Sequence, residues 1–318
     1  MIDPGLEVLA HAVDALQIDD AWSVRADPRR VAWWPGRLAQ ELVAEPAVQD
    51  HGTTVCRVRA ETTVLEGVRP DARTAQVLGA VASGVVLSAV DLAPDDRLVL
   101  ASELWVHPDG ADWCARTFAF AAAMQAAQAE TMADRAAALL GGRVAVSEHP
   151  ASGRRDEPDE MLHILEGLVR PRGAGPSPVS DGDVADAWRA VFGPVGIEPR
   201  RDGRTLWADL PVGGREAIVL VRPDARHPVH GSGVLVRAAL GRGSATRGSL
   251  DALAAVRDER EQATRAHLLG SWVAEEGRLV HDTFLPSAAW LDGGLAHLLF
   301  AQAIRLRWAV SRAPGGAG

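Results

Sequence analysis

Three short stretches hold residue types and spacings that could do chemistry. Asp224-Ala-Arg-His227-Pro-Val-His230 sets one carboxylate and two imidazoles three residues apart. Zinc needs three or four such groups converging. No fourth ligand lies nearby in the sequence, and strand patterns flank the run, so it reads as a turn. His230-Gly-Ser232-Gly233 has histidine where a nucleophile elbow needs glycine, and it opens a strand rather than a helix. The run 240–249, Leu-Gly-Arg-Gly-Ser-Ala-Thr-Arg-Gly-Ser, follows a strand pattern and precedes a helix pattern. That is the context of an anion-binding loop at a helix N-terminus. Arg242, Ser244, Thr246 and Arg247 are its candidate donors, although the spacing matches neither a dinucleotide fingerprint nor a P-loop.

The least common local feature is Trp33-Trp34-Pro35-Gly36-Arg37-Leu38-Ala39-Gln40. Adjacent side chains on a strand point to opposite faces. One tryptophan can enter the core, and the other must then meet a second layer, a partner or solvent. Trp105 lies on a second strand pattern, with Leu104, Val106 and His107 beside it. Tryptophan is favoured at interface hot spots, so Trp33, Trp34, Leu38 and Trp105 are the candidate partner-binding residues.

Composition narrows the chemistry further. All 33 basic residues among the 318 are arginine, and lysine, tyrosine and asparagine are absent. No P-loop or Schiff-base lysine, tyrosine acid or asparagine oxyanion donor can operate. A net charge of −9 argues against general nucleic-acid binding. Cys56 and Cys114 lie far apart without a C-x-x-C spacing and read as reduced, buried thiols. Met1 to Ala10 lacks a basic signal region, and no apolar run reaches membrane-spanning length. The expectation is a cytoplasmic protein with no membrane or nucleic-acid partner, no cofactor, no metal and no enzymatic motif.

The elements that must position these residues fall into two halves. Each opens with a helix, the first at Asp3-Pro4 and the second near Asp183. Strands at Val31–Trp34, Leu38–Val43 and Thr53–Leu65 match strands at Thr205–Leu210, Arg215–Arg222 and Gly233–Leu240. Helices at Ala72–Ser83 and Ser249–His267 follow. Strand pairs then return at Val85–Asp91 with Arg97–His107, and at His267–Glu275 with Gly277–Pro286. Each half closes with a helix entered through Asp-Gly and carrying F-A-x-A, at Phe120–Ala123 and Phe300–Ala303.

The order α-β-β-β-α-β-β-α thus occurs twice. It describes an α/β two-layer sandwich built from tandem repeats with mainly antiparallel sheets. Residues 1–146 form the first repeat and 183–312 the second. Residues 147–182 are a Pro- and Gly-rich linker holding a short helix between two flexible segments, and 313–318 are a flexible tail. The charged run Arg257–Glu261 reads as a solvated helix face.

In its doubled element order and acidic balance, the chain resembles the superfamily of type III secretion chaperones and YbjN-like proteins. The type VII secretion chaperones of actinobacteria share a similar pseudo-twofold layout. The W-W-P-x-R-L-A-Q segment also resembles actinobacterial proteins. The resemblance implies a homodimer, or a covalent version of one in a single chain, that wraps an extended client segment. It transfers no functional residue. The leading expectation is a non-enzymatic chaperone or adaptor that recognises a client protein through an exposed sheet surface. An anion- or nucleotide-binding protein using residues 241–249, and a structural oligomer-forming protein, are the alternatives. Residues 1–150 hold 21 acids and 12 arginines, a balance of −9, while residues 151–318 hold 21 of each, a balance of zero. An acidic half of this kind suits a client with a basic segment.

Overall fold

Asp3 starts the first helix as its composition dictates. Its carboxylate accepts from the Gly5 amide at 3.0 Å, and Pro4 occupies the first helical position. The computed structural model describes residues 3–50, 52–169, 177–212, 215–240, 248–262 and 265–311. After α1 (Pro4–Ala15) come β1 (Ser23–Asp27), β2 (Arg30–Trp33), β3 (Gln40–Ala44), β4 (Val48–Asp50) and β5 (Thr53–Glu66). Then follow α2 (Ala72–Ala82), β6 (Ala89–Leu92), β7 (Leu98–Val106), α3 (Ala111–Leu140), the two-residue β8 (Arg143–Val144) and α4 (Glu160–Val169).

The second half runs α5 (Asp181–Phe192), β9 (Arg200–Asp202), β10 (Thr205–Val212), β11 (Arg215–His227), β12 (Gly231–Leu240), α6 (Ser249–Gln262), β13 (Ser271–Glu275), β14 (Arg278–Pro286) and α7 (Gly294–Ser311). Its opening helix is held by a capping box in which Ser180 and Asp183 satisfy each other's backbone amides.

The two halves share one topology. The first sheet is ordered β1-β2-β3-β5-β7-β6 and the second β9-β10-β11-β12-β14-β13, with every neighbouring pair antiparallel. The short β4 and β8 add to the flanks of β5. Each unit therefore has a leading edge strand, β1 or β9, that the apolar pattern does not show. Both strands are short and mostly exposed, so no alternation marks them.

One face of each sheet is covered by helices, α1 and α3 on the first and α5 and α7 on the second. β5 alternates buried and half-buried residues along most of its length, as a strand between two environments must. Each closing helix sets a buried glutamine over its sheet. Gln125 donates to the Ala60 carbonyl at 2.9 Å and to the Ser102 hydroxyl at 3.0 Å. Gln302 donates to the Val236 carbonyl at 3.3 Å and to the Thr283 hydroxyl at 3.2 Å. The β13–β14 hairpin turns at Glu276 and Gly277, both with positive φ (49° and 76°), which is the geometry of a tight primed turn.

The units join reciprocally. α2 packs on α6 and β13, α6 packs on α2 and β6, and β6 meets β13. This is the self-complementary pattern of a twofold interface, here within one chain. Glu103 and Leu268 exchange backbone hydrogen bonds of 3.0 and 2.8 Å across the junction. The Val90 amide donates to the Ser271 hydroxyl at 2.7 Å. His227 accepts at Nδ1 from the Val229 and His230 amides, so its Nε2 carries the proton donated to the Ser83 carbonyl at 3.2 Å.

Candidate partner interface

The four residues expected to form an exposed docking surface do not share one. Trp33 is 0% exposed and lies in the main core with α1 and α3, while Leu38 is 1% exposed and belongs to a second apolar cluster with Leu65 and Leu78. Trp34 points the other way, as strand alternation requires, yet it is only 7% exposed. Trp105 is half-buried on β7, beside the junction, where its amide donates to Nδ1 of His267 at 3.1 Å. Trp33, Trp34 and Leu38 thus sit in packed surroundings within the chain.

The chain itself covers Trp34. Its indole donates to the Ser147 hydroxyl at 3.1 Å, and the His149 ring meets it edge-on at 4.9 Å. Arg155 donates to the Trp34 carbonyl at 2.6 Å and lies 5.0 Å over the Trp22 ring. The Ser147 amide donates to the Arg37 carbonyl, and the Asp159 amide to the Pro35 carbonyl. Ser152 and His149 bond the carbonyls of Ala21 and Ser23 at the start of β1, at 2.8 and 3.3 Å. Residues 147–159, expected as a flexible segment, therefore form a strap fixed across the outer edge of the first unit. Their prolines and glycines prevent regular structure but not packing. The short helix expected within the linker is α4, which carries Leu162 and Leu165 onto α3. Residues 170–176 and 312–318 lie outside the described residues.

Among the described residues, nothing comparable covers the corresponding edge of the second unit. All three residues of β9 are exposed. On the sheet face opposite α5 and α7, Trp207 pairs in register with Leu220 across β10 and β11, and Ile218 with Asp209. Trp207, Ile218 and Leu220 are half-exposed. The Arg200 guanidinium lies 4.6 Å over the Trp207 ring and pairs with Asp209 at 3.1 Å, which fixes the ring in place.

Between the units, the first sheet presents charges rather than apolar side chains. Arg57 and Glu103 on β5 and β7 pair at 3.3 Å, and Arg57 also reaches Glu45. Arg260 of α6 enters this group and pairs with Glu61, Asp91 and Glu103 at once. Burial pulls the Arg260 pKa down, but the carboxylates of Glu103, Glu61 and Asp91 outweigh it and hold the guanidinium above its ordinary value. One residue earlier, Glu259 pairs with the fully buried Arg305 at 2.7 Å and accepts from the Trp272 indole at 2.8 Å. The run Arg257–Glu261 is thus corrected from a solvated face to a junction element. The inner face of α6 mixes these ionic contacts with buried Ala252 and Val256, which pack with Trp272 and Leu268.

The remaining candidates resolve as follows. Residues 242, 244, 246 and 247 of the anion-loop alternative lie outside the described residues. The His227 and His230 rings lie 4.7 Å apart, tilted to one another, in the β11–β12 hairpin. Among the described residues, no three metal-ligating groups converge. Ser232 shares a hydroxyl contact with Ser287 at 3.1 Å. Cys56 and Cys114 are both free and buried, and burial pushes each thiol up to about 12, which suppresses the reactive thiolate. Among the described residues, no helix is long and apolar enough to cross a membrane. Comparison with protein-family models, with curated proteins and with solved structures found no match.

Proposed function

We propose that the chain is a non-enzymatic client-binding protein, a chaperone or adaptor, that docks an extended segment of a partner on the outer edge of its second unit. The observation that carries this reading is the strap. Two units share one strand order, and the first already holds a segment of the chain, 147–159, that turns back on itself between His149 and Gly153, across its outer edge through backbone carbonyls and two tryptophans. The second unit repeats that edge as β9 and β10, open, with Trp207, Leu220 and Ile218 beside it. Main-chain pairing to an open edge supplies affinity, and flanking side chains supply selectivity. The doubled element order, which resembles secretion chaperones, supports the same reading. The acidic first half adds a preference for a basic flank on the client, weakening as salt rises.

The test is affinity capture from the producing cells with wild type, Trp207→Ala, Leu220→Glu and Trp34→Ala. One stoichiometric partner, lost with the first two variants in a fold shown native by circular dichroism, supports the proposal. Recovery that is nonspecific, or indifferent to Trp207 and Leu220, refutes it.

A further inference from the structure

An apolar cavity of about 350 Å³ lies where α2, the last turns of α3 and the tip of the β11–β12 hairpin meet. Its walls include Val77, Val81, Met132 and Ala136. Two rim residues, Leu139 and Val229, are 47% and 42% exposed, unusual for aliphatic side chains facing one opening. The polar groups around it are largely committed. Gln128 spends its amide on the Val86 amide and carbonyl, and Thr131 donates to the Ala127 carbonyl. His230 forms part of the wall as a neutral ring, since burial pulls its pKa down to about 4.

Arg135 is the exception. It lines the cavity, is exposed, and has no ion pair shown among the described residues. Its neighbours one helical turn away, Thr131, Met132, Ala138 and Leu139, carry no carboxylate. The mouth is therefore a cation without a counter-charge beside an apolar hollow, and two units of one chain enclose it, where ligand sites commonly form.

We infer that this cavity binds a monoanionic amphiphile, a medium-chain carboxylic acid whose apolar body fills the hollow and whose carboxylate meets Arg135. A cavity of 150 Å³ accommodates benzene, so the observed volume suits a ligand of about 14 heavy atoms. An unbranched ten-carbon acid has about that size. The inference is independent of the docking edge on β9 and β10, which lies on other elements.

The test is titration calorimetry of the full chain with decanoate and with decanol, each below its aggregation concentration. Decanoate binds saturably at one site per chain. Arg135→Gln, an exposed substitution that leaves the core intact, weakens decanoate about fivefold and leaves decanol unchanged, as loss of an exposed ion pair does. Val81→Trp fills the hollow and removes both. A photoreactive decanoate analogue labels α2, the end of α3 or residues 229–230, which keeps the inference testable should Val81→Trp misfold. Absence of saturable binding overturns it. So does decanoate binding that ignores Arg135→Gln, or labelling confined to other elements.

Discussion

Replacing Arg260 with methionine keeps the aliphatic stem and deletes the charge that three carboxylates share. Asp91 and Glu103 have side chains only 6% exposed, and Glu61 20%. Glu103 retains Arg57 at 3.3 Å, whereas Asp91 loses the ion pair it makes to Arg260. Removing one partner of a buried pair costs about 3–5 kcal/mol, because a desolvated charge is left uncompensated. An exposed pair would cost below about 1 kcal/mol. The deficit also depends on pH in a defined sense. Burial already lifts the Glu103 carboxyl above its usual range, and loss of a neighbouring cation lifts it further. Groups whose folded pKa is raised stabilise the fold at low pH and lose that contribution as pH rises.

Arg260→Met is therefore expected to cost about 3–5 kcal/mol at pH 7 and measurably less at pH 5. Urea unfolding of wild type and variant at both pH values measures this, with Arg260→Lys as the variant that keeps charge without the planar fork. A loss below about 1 kcal/mol, or one that grows on acidification, refutes the assignment of a buried ionic junction.

Other outcomes follow from single sites. His230, with a pKa near 4 and both ring nitrogens lacking hydrogen-bond partners among the described residues, draws stability away as pH falls from about 6.5 to 4, by roughly 1.4 kcal/mol per pH unit. His230→Leu should flatten that part of the pH–stability curve relative to wild type, and parallel curves would contradict it. Half-buried His267, held down to about 3 chiefly by burial, gives the same sign, so His267→Gln should reduce the acid sensitivity that remains in His230→Leu. Trp34→Ala should cost about 3–5 kcal/mol and expose the strap, read as new tryptic cleavage at Arg154 or Arg155. Unchanged protease resistance would show that the strap holds without Trp34.

Much of the architecture was legible because burial is periodic there. The long strands at Thr53 and Gly231 alternate cleanly, and Glu275-Glu276-Gly277 marks its hairpin. The doubled element order is met by two sheets of the same strand order. In α1 the buried face turns on Val8, Leu9, Ala12 and Val13, and it is hard to read locally because alanine and leucine occur around most of that helix. β1 and β9 carried no signal, since edge strands exposed to solvent need no alternation. The site was legible least. Strand alternation sends Trp33 and Trp34 to opposite faces, but the layer over Trp34 is a Pro- and Gly-rich segment more than a hundred residues later, which no local pattern connects to it. The junction was hidden for the opposite reason. Arg260 looks like any surface arginine on a charged helix, and only the fold brings Glu61, Asp91 and Glu103 around it. Trp207 stood in plain view as a lone tryptophan on an alternating strand, and its outward face became meaningful once the covered and open edges could be compared.

The most direct test of client docking places a photo-crosslinking amino acid at exposed Asp209, on the open face beside Trp207, with Asp71 of the first unit as an exposed control, in the producing cells. The account predicts one discrete adduct from position 209 and none from position 71. Equal labelling from both positions, or no adduct from 209, would contradict it.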